Sequence, residues 1–350
     1  MLGGPAELLR DFWYLALPGI ALAGNKTRRV TLLGEPVLIG RRADGGVFAL
    51  RDICPHRGIP LSYGTFDGTE VSCGYHGWRF ATDGRCTAIP SLMPDQTVHL
   101  DRIGVAAFPC REVQGNIWVF VAGKDRAPEI LPPEPPRVPL PDDAVPQIAI
   151  DSVFPCGVDD TAYGLMDPTH AAFVHTSWWW KKDARRLRPK EKRFEPAPLG
   201  WRMVRHRLSA EHRMYRVLGG VPTTEITYSL PGVRIEHIEA GRHAAVSLTA
   251  LTPVSARETI VHQSLYWTAG WLAPFRPVVR SLAQRFLGQD RDVVVKQQEG
   301  LAYGPRLMLI DDADTQAKWF AQVKAEWLRA RADGRPFENP VKPRTLRWHS

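Results

Sequence analysis

The sequence predicts an α+β chain of two domains, and three observations carry that prediction. Short alternating apolar runs cut by turn signals fill the N-terminal part. Longer alternating runs, framed by two helical patterns, fill the C-terminal part. Between them lies PEILPPEPPRVPLPDDAVP (128–146), whose eight prolines exclude a helix and mark an extended linker. The expected domains are therefore residues 1–127 and 147–350, joined by 128–146. A length of 350 residues suits about two domains. An apolar content of 44% supports packed cores and argues against disorder.

In chain order, MLGGPAELLRDFWYLALPGIALAG lacks a basic leader, and Pro18 interrupts its short apolar run. Neither a signal peptide nor a transmembrane span is expected there. VTLLGEPVLIGRRADGGVFALRD (30–52), FATDGRCTAI (80–89) and GNIWVFVAG (115–123) read as β-hairpins of an all-β domain. Downstream, WRMVRHRL, TEITYSL, VRIEHIEA, AAVSLTALTPV and TIVHQSLYW read as strands, mostly antiparallel because their connections are short. TAYGLMDPTHAAFVH (161–175) and DADTQAKWFAQVKAEWLRARADG (312–334) read as helices. In the second, Trp319, Phe320, Val323 and Trp327 share a face, Asp312 or Asp314 is placed to cap, and Gly334 is placed to close.

The formal charge of +8 is scattered apart from KKDARRLRPKEKR (181–193), and no nucleic-acid-binding signature accompanies it. A solvated basic face is the plain reading, and an acidic protein partner is the functional one. Five cysteines without an export signal point to reduced thiols in the cytoplasm. Cys86, Cys110 and Cys156 have no ligand spacing and read as small buried apolar residues. His206, His237 and His262 lie in strand patterns and read as hydrogen-bonded sheet histidines rather than pocket residues.

Residues 53–80, ICPHRGIPLSYGTFDGTEVSCGYHGWRF, stand apart. Cys54-x-His56 and Cys73-x-x-His76 each offer one thiolate and one imidazole. Structural zinc sites group their ligands as cysteine pairs and histidine pairs, or use four thiolates. A [2Fe-2S] cluster with two Cys on one iron and two His on the other uses the set found here. Gly58, Gly74 and Gly77 allow close backbone approach to sulfides. CPHRG followed by CGYHGW resembles the Rieske motif in the form seen in Rieske non-heme iron oxygenases. Respiratory and photosynthetic Rieske proteins carry an additional disulfide-forming cysteine in each loop, where Ile59 and Tyr75, or their neighbours, stand here. The resemblance runs from FWYLA (12–16) to the last helix. It implies a Rieske domain followed by a helix-grip catalytic domain, an antiparallel sheet with a long C-terminal helix, and it implies that Trp78 packs near the cluster.

An oxygenase needs a second metal. Within DPTHAAFVH, His170 and His175 are five apart, which on a regular helix leaves them about 140° apart. Convergence on one ion requires a bulge or a helix end. The segment resembles the family's D-x-x-H-x-x-x-x-H, which makes both histidines ligands of a mononuclear Fe(II). The resemblance also implies a third ligand, a carboxylate at the start of a helix in FLGQDRDVVVKQQEGL (286–301). Asp290 and Asp292 compete, and the family's spacing of an acid to a Gln pair favours Asp290, with Gln297-Gln298 as the pair. Two His and one carboxylate leave the opposite face of the ion open. By the same resemblance Asp167 hydrogen-bonds a ligand histidine and reaches a Rieske histidine, His76, of a neighbouring subunit in a head-to-tail homotrimer. One departure concerns Gly164, where many relatives have Asn.

The resemblance implies a terminal oxygenase that uses O2 and NAD(P)H-derived electrons delivered by a separate ferredoxin and/or flavin reductase. The chain itself has no Gly-rich dinucleotide fingerprint and no plant-type ferredoxin cysteines. LMDPTHAAFVH is most similar to the monooxygenase and vanillate-demethylase-like branch. The expected substrate is small and apolar or aromatic, extending to polycyclic and steroid-like molecules, and the expected reaction is hydroxylation or oxidative demethylation. Pocket residues are expected from the strands at 224–265 and from SWWWKK (177–182), with Trp178 to Trp180 at an entrance. Arene cis-dihydroxylation is the alternative chemistry. An electron-transfer protein with a ligand-binding helix-grip domain is the alternative class.

Overall fold

A computed structural model describes residues 7–22, 24, 26–123, 133–175, 187–208 and 220–350. Trp178 to Trp180, residues 181–186 of the basic run and the start of the Pro-rich segment lie outside the described residues. The chain forms two compact units, one spanning Leu8–Arg137 with Pro141–Val145, the other Val138–Leu140 with Pro146–Ser350. The fold class is α+β, with an all-β first unit and a second unit of sheet and helices.

The first unit contains three antiparallel sheets. Phe12–Pro18, Asn116–Val121 and Cys110–Val113 form one; Thr27–Leu32, Glu35–Arg41, Val47–Arg51 and Ala107–Phe108 form the second. The third consists of the short strands Thr65–Phe66, Glu70–Ser72, Arg79–Ala81 and Cys86–Ala88. The Thr27–Leu32 hairpin turns through Leu33 and Gly34, both at positive φ, which is the two-residue turn that matches strand twist. Leu38, Phe48, Leu50, Val71 and Phe80 build a core that also contains Cys54 and Cys73. Parts of the Pro-rich stretch pack with this unit: the Trp13 indole donates to Pro133 O at 2.6 Å, and the Gln114 amide donates to Pro141 O at 3.1 Å.

Among the described residues, the second unit holds an eight-stranded antiparallel sheet. Its order is Ile148–Phe154, Glu258–Trp267, His243–Ser255, Val233–Ala240, Thr223–Ser229, Gly200–Arg207, Pro189–Ala197 and Arg344–His349. Helices α1 (Val158–Met166), α2 (Ala171–Val174), α3 (Arg276–Leu301) and α4 (Thr315–Ala332) pack with it. Helix α3 runs along the edge strand Ile148–Phe154, where Arg280 and Arg291 donate to the carbonyls of Ala149 and Val153 at 3.0 and 2.9 Å. Those edge carbonyls are thereby covered. Trp319 of α4 meets Phe194 and Trp201 edge-on, at 5.6 and 5.8 Å between ring centroids. Each such pair adds about 0.5–1.5 kcal/mol beyond area burial.

Three expectations change. The single helix over 161–175 is two helices. Pro168 cannot continue the first and holds Asp167 extended, at φ −64° and ψ 120°. The helix with the candidate acids begins at Arg276, so Asp290 and Asp292 sit in its interior and neither caps it. At α4, Asp314 occupies the cap position, but its carboxylate accepts from the Ile310 amide, while Asp312 binds Arg344 and the Arg347 amide. Gly334, at φ +64°, closes α4 as expected, with Arg335 N–H returning to Ala330 O.

Candidate metal centres

The two loops at 54–59 and 73–78 repeat one construction. Cys54 N–H donates to Ile59 O at 2.9 Å, and Gly58 N–H donates to Cys54 O at 2.9 Å. Cys73 N–H donates to Trp78 O at 2.8 Å, and Gly77 N–H donates to Cys73 O at 3.0 Å. Each loop thus closes on itself around a buried cysteine, with a glycine at positive φ four residues on. Both thiols lie in the apolar core, whereas His56 is exposed and His76 half-buried, with ring centroids 4.5 Å apart. Cysteines beneath and histidines above is the polarity a cluster with two unlike irons requires. Asp52, which sequence reasoning missed, anchors the first loop. Its buried carboxylate accepts from the Ser62 amide and hydroxyl, both at 2.7 Å, and pairs with Arg29 at 3.4 Å.

Two further features fit an iron–sulfur cluster here. Burial raises the Cys54 pKa, and the amides of His56 and Arg57 are aimed at its sulfur and oppose that rise. Those donors suit a thiolate ligand. The Trp78 Nε1–H is buried without a hydrogen-bond partner among the described residues, while its ring stacks on His56 at 4.6 Å and 4°. A buried donor left bare costs about 1–3 kcal/mol, and a cluster sulfur would relieve it. His56 is held below the ordinary imidazole pKa by desolvation and by the neighbouring His76 and Arg57, which keeps it in the neutral, ligating form.

In the second unit, the break at Pro168 makes the histidine pair converge. His170 is the N-cap of α2 and His175 its C-cap, so neither obeys helical spacing. Their Nε2 atoms both stand 3.4 Å from Asp290 Oδ1. One ligand atom from each of His170, His175 and Asp290 falls within 4.8 Å of the others. The set is partly shielded: the His175 side chain is 1% exposed, Asp290 13% and His170 22%. Asp292 is exposed, on another face of α3. Each histidine is oriented through its other nitrogen. His170 Nδ1–H donates to the main-chain carbonyl of Asp167 at 2.8 Å, and His175 Nδ1 lies 3.3 Å from Gln289 Oε1. A carbonyl can only accept, so in the neutral ring the proton sits on Nδ1 and Nε2 keeps its lone pair. Phe286 stacks on His175 at 3.5 Å and 18°.

Asp167 therefore acts on His170 through its carbonyl rather than its carboxylate. Its Oδ1 accepts from the Thr169 amide at 2.7 Å and hydroxyl at 2.6 Å, leaving Oδ2 3.7 Å from His170 Nδ1. Gln289, Phe286 and Thr169 carry no signal in the sequence, because their roles depend on which atoms α3 and the Pro168 break bring near the histidines. An open cavity of about 340 Å3 adjoins the triad. Beside His170 and Asp290 its wall is mostly apolar, including Leu165, Val294, Leu307 and Met308. Helix α4 steadies this region: Gln316 accepts from the Trp201 indole at 3.1 Å and donates to Met166 O at 3.1 Å.

Of the other residues singled out, Cys86 and Cys156 are buried and Cys110 is half-buried. His206 bonds Val204 O, and His237 faces Arg205 and Glu239. His262 departs from expectation. It is buried, its Nε2 has no partner among the described residues, and burial pushes its pKa down to about 4.

A β-rich unit with a two-loop Cys/His cradle, and a sheet-and-helix unit with a two-His, one-Asp cluster, define a protein fitted for an iron–sulfur centre and a separate mononuclear metal. Residues 12–109 match the Rieske [2Fe-2S] domain family. Chlorophyllide a oxygenase of Chlamydomonas reinhardtii is 39% identical over 173 residues, covering 49% of this chain and 25% of that protein. The 5,5'-dehydrodivanillate O-demethylase oxygenase subunit of Sphingobium sp. is 29% identical over 195 residues, covering 55% of this chain and 44% of that one. The chain thus spans less than half the length of these curated relatives. The structure of dicamba monooxygenase bound to dicamba shares the fold, with TM-score 0.73 at 23% identity, covering 94% of this chain and 100% of that one. Residues 12–109 thus form a Rieske [2Fe-2S] domain, and about half of the chain is similar to oxygenase subunits that carry one. No helix among the described residues is long and apolar enough to cross a membrane.

Proposed function

We propose that the chain is the terminal oxygenase of a multicomponent system. Cys54, His56, Cys73 and His76 hold a [2Fe-2S] cluster, and His170, His175 and Asp290 hold Fe(II). The observation that carries this reading is the convergence of three ligand atoms within 4.8 Å beside an apolar-walled cavity. When bound, the cluster supplies single electrons and the Fe(II) centre supplies O2 activation. The remaining work falls to the chain. The Asp167 carbonyl and Gln289 hold both imidazoles with Nε2 inward, and Phe286 fixes the His175 ring plane. Val294, Leu307 and Met308 give the cavity the apolar wall that an apolar substrate packs against. Asp167, with Oδ2 outside the Thr169 turn, is the carboxylate that bridges to His76 of a neighbouring subunit in a homotrimer.

The substrate reading is a small apolar or aromatic molecule, extending to polycyclic and steroid-like ones, that is hydroxylated or demethylated. Relatives named for a chlorophyllide oxygenase and an O-demethylase support it. Electrons come from NAD(P)H through a ferredoxin and/or flavin reductase, and the basic net charge of +8 suits an acidic donor. The location is cytoplasmic. Metal and sulfide analysis after anaerobic Fe(II) loading tests the core of the proposal. Three irons and two sulfides per chain, with substrate-dependent O2 uptake, support it. Two irons and no O2 uptake across a substrate panel would leave an electron carrier instead.

A further inference from the structure

We infer that Gly164 sets the size of substrate this chain accepts, by leaving open the wall of the cavity next to the triad. The inference rests on the reading of that cavity as the substrate site. Gly164 lies inside α1, where glycine weakens a helix relative to alanine. At three other positions glycine answers a steric demand, whereas Gly288 and Gly300 of α3, like Gly164, are not crowded. A Cβ would meet Ser72 O at 1.8 Å from Gly64, Val105 O at 2.1 Å from Gly84, and Tyr228 O at 1.9 Å from Gly200. At Gly164 the added carbon meets only Val294 Cγ2, at 3.7 Å, an ordinary contact. The backbone there is not in the left-handed region either. Neither conformation nor crowding calls for glycine.

What the missing side chain leaves is space, and that space is part of the cavity. Gly164 lines it with His170, Asp290, Val294 and Gln297. A side chain on α1 at this point would meet Val294 and take up part of the cavity. With hydrogen alone, the helix backbone offers a flat wall against which a planar ring can lie. The class of ligand admitted is therefore a fused, multi-ring apolar compound in addition to single-ring ones. Substituents at residue 164 should exclude the wide compounds first, because a filled wall cannot move away without displacing α1.

The test uses the iron-loaded protein and two neutral probes, anisole and 2-methoxynaphthalene, with equilibrium binding as the readout. Gly164→Ala should raise the melting temperature by a few degrees. It should also weaken 2-methoxynaphthalene about ten-fold or more, while anisole stays within about two-fold. Gly164→Leu should abolish naphthalene binding and keep iron content unchanged. A lower melting temperature in Gly164→Ala would make the glycine structural and overturn the inference. So would equal weakening of both probes, unchanged binding in Gly164→Leu, or a parent chain that binds neither probe. Absence of mononuclear iron in the parent chain overturns instead the reading of the metal site. Because size discrimination is scored by binding and not turnover, the two failures are distinct.

Discussion

The two ligand sets are built in opposite ways. The Rieske-type cradle draws all its ligands from residues 54–76, on two loops that close by the same pair of main-chain hydrogen bonds. The triad joins His170 and His175, at the ends of a four-residue helix, to Asp290 in the interior of a 26-residue one. The first is local and repeats itself, so its geometry follows from short-range bonding. The second is long-range, so its geometry follows from how α3 lies along the sheet edge and from one proline. Damage to the first should be confined to its own centre. The second should be sensitive to residues that touch no metal.

The largest expected effects test whether the centres are separable. Cys73→Ser should remove the visible Rieske spectrum entirely while the second unit still binds one Fe(II) per chain, as read by iron analysis. Asp290→Ala should give the mirror image, an intact spectrum with the mononuclear iron lost, whereas Asp292→Ala keeps both. Loss of both metals in either single variant would mean the centres are not independent.

An intermediate effect is expected at Asp167. Asp167→Asn preserves the main-chain carbonyl that holds His170, so both centres should stay loaded. Removing the charge should slow oxidation of the pre-reduced cluster about 10–100-fold, with the proposed trimer unchanged by sizing. Normal single-turnover rates would place the bridge elsewhere.

Acid should also affect the centres unequally. Burial opposes charge on His170, but the pairing with Asp290 and then Asp167 outweighs it and raises the pKa above the ordinary imidazole value. In the metal-free chain, the charged ring contributes stability that is fully present below about pH 6.5 and lost as pH rises through the folded value. Iron requires the neutral ring, so its affinity runs the other way. It should fall by up to about ten-fold per unit as pH drops below that folded value. Titration of Fe(II) binding against pH measures this, and a flat profile would contradict it.

The smallest effect is expected at Trp78. Trp78→Phe keeps the stack on His56 and deletes the bare indole donor. One hydrogen bond of about 0.5–1.5 kcal/mol corresponds to a fall of some tens of millivolts in cluster potential. An unchanged potential would leave the orphaned Nε1–H unexplained.

The same contrast divides what is legible in the amino-acid sequence from what only folding creates. Cys54, His56, Cys73 and His76 are legible because their spacing alone carries the chemistry. His170 and His175 are legible as a pair, together with the need for a bulge or a helix end there, and they stand at the two ends of α2. Asp290 separates from Asp292 only by resemblance, since the partner that decides between them is 115 residues away. The first half of α3, RPVVRSLAQRFLG, escapes sequence reading because it has no side-chain cap and a glycine near its centre. The strand Pro189–Ala197 escapes it because charged side chains dominate it, and Arg344–His349 because only Leu346 of its six residues is buried. That composition protects a sheet margin from pairing and hides the apolar alternation that announces a strand.

Gln316 has a consequence for which substitutions the last helix tolerates. Its two neighbours have opposite and unchangeable polarity, since the Trp201 indole can only give a proton and the Met166 carbonyl can only take one. The amide must therefore point one way, and it acts as an adaptor between a donor-only and an acceptor-only terminal. Glutamate would match the indole but set two acceptors against each other at the end of α1. Methionine has the length without either function. Asparagine has both functions without the length. A position on α4, with no place in either metal centre, is thus restricted to nearly one letter of the alphabet, and a library that varies this helix should recover that letter.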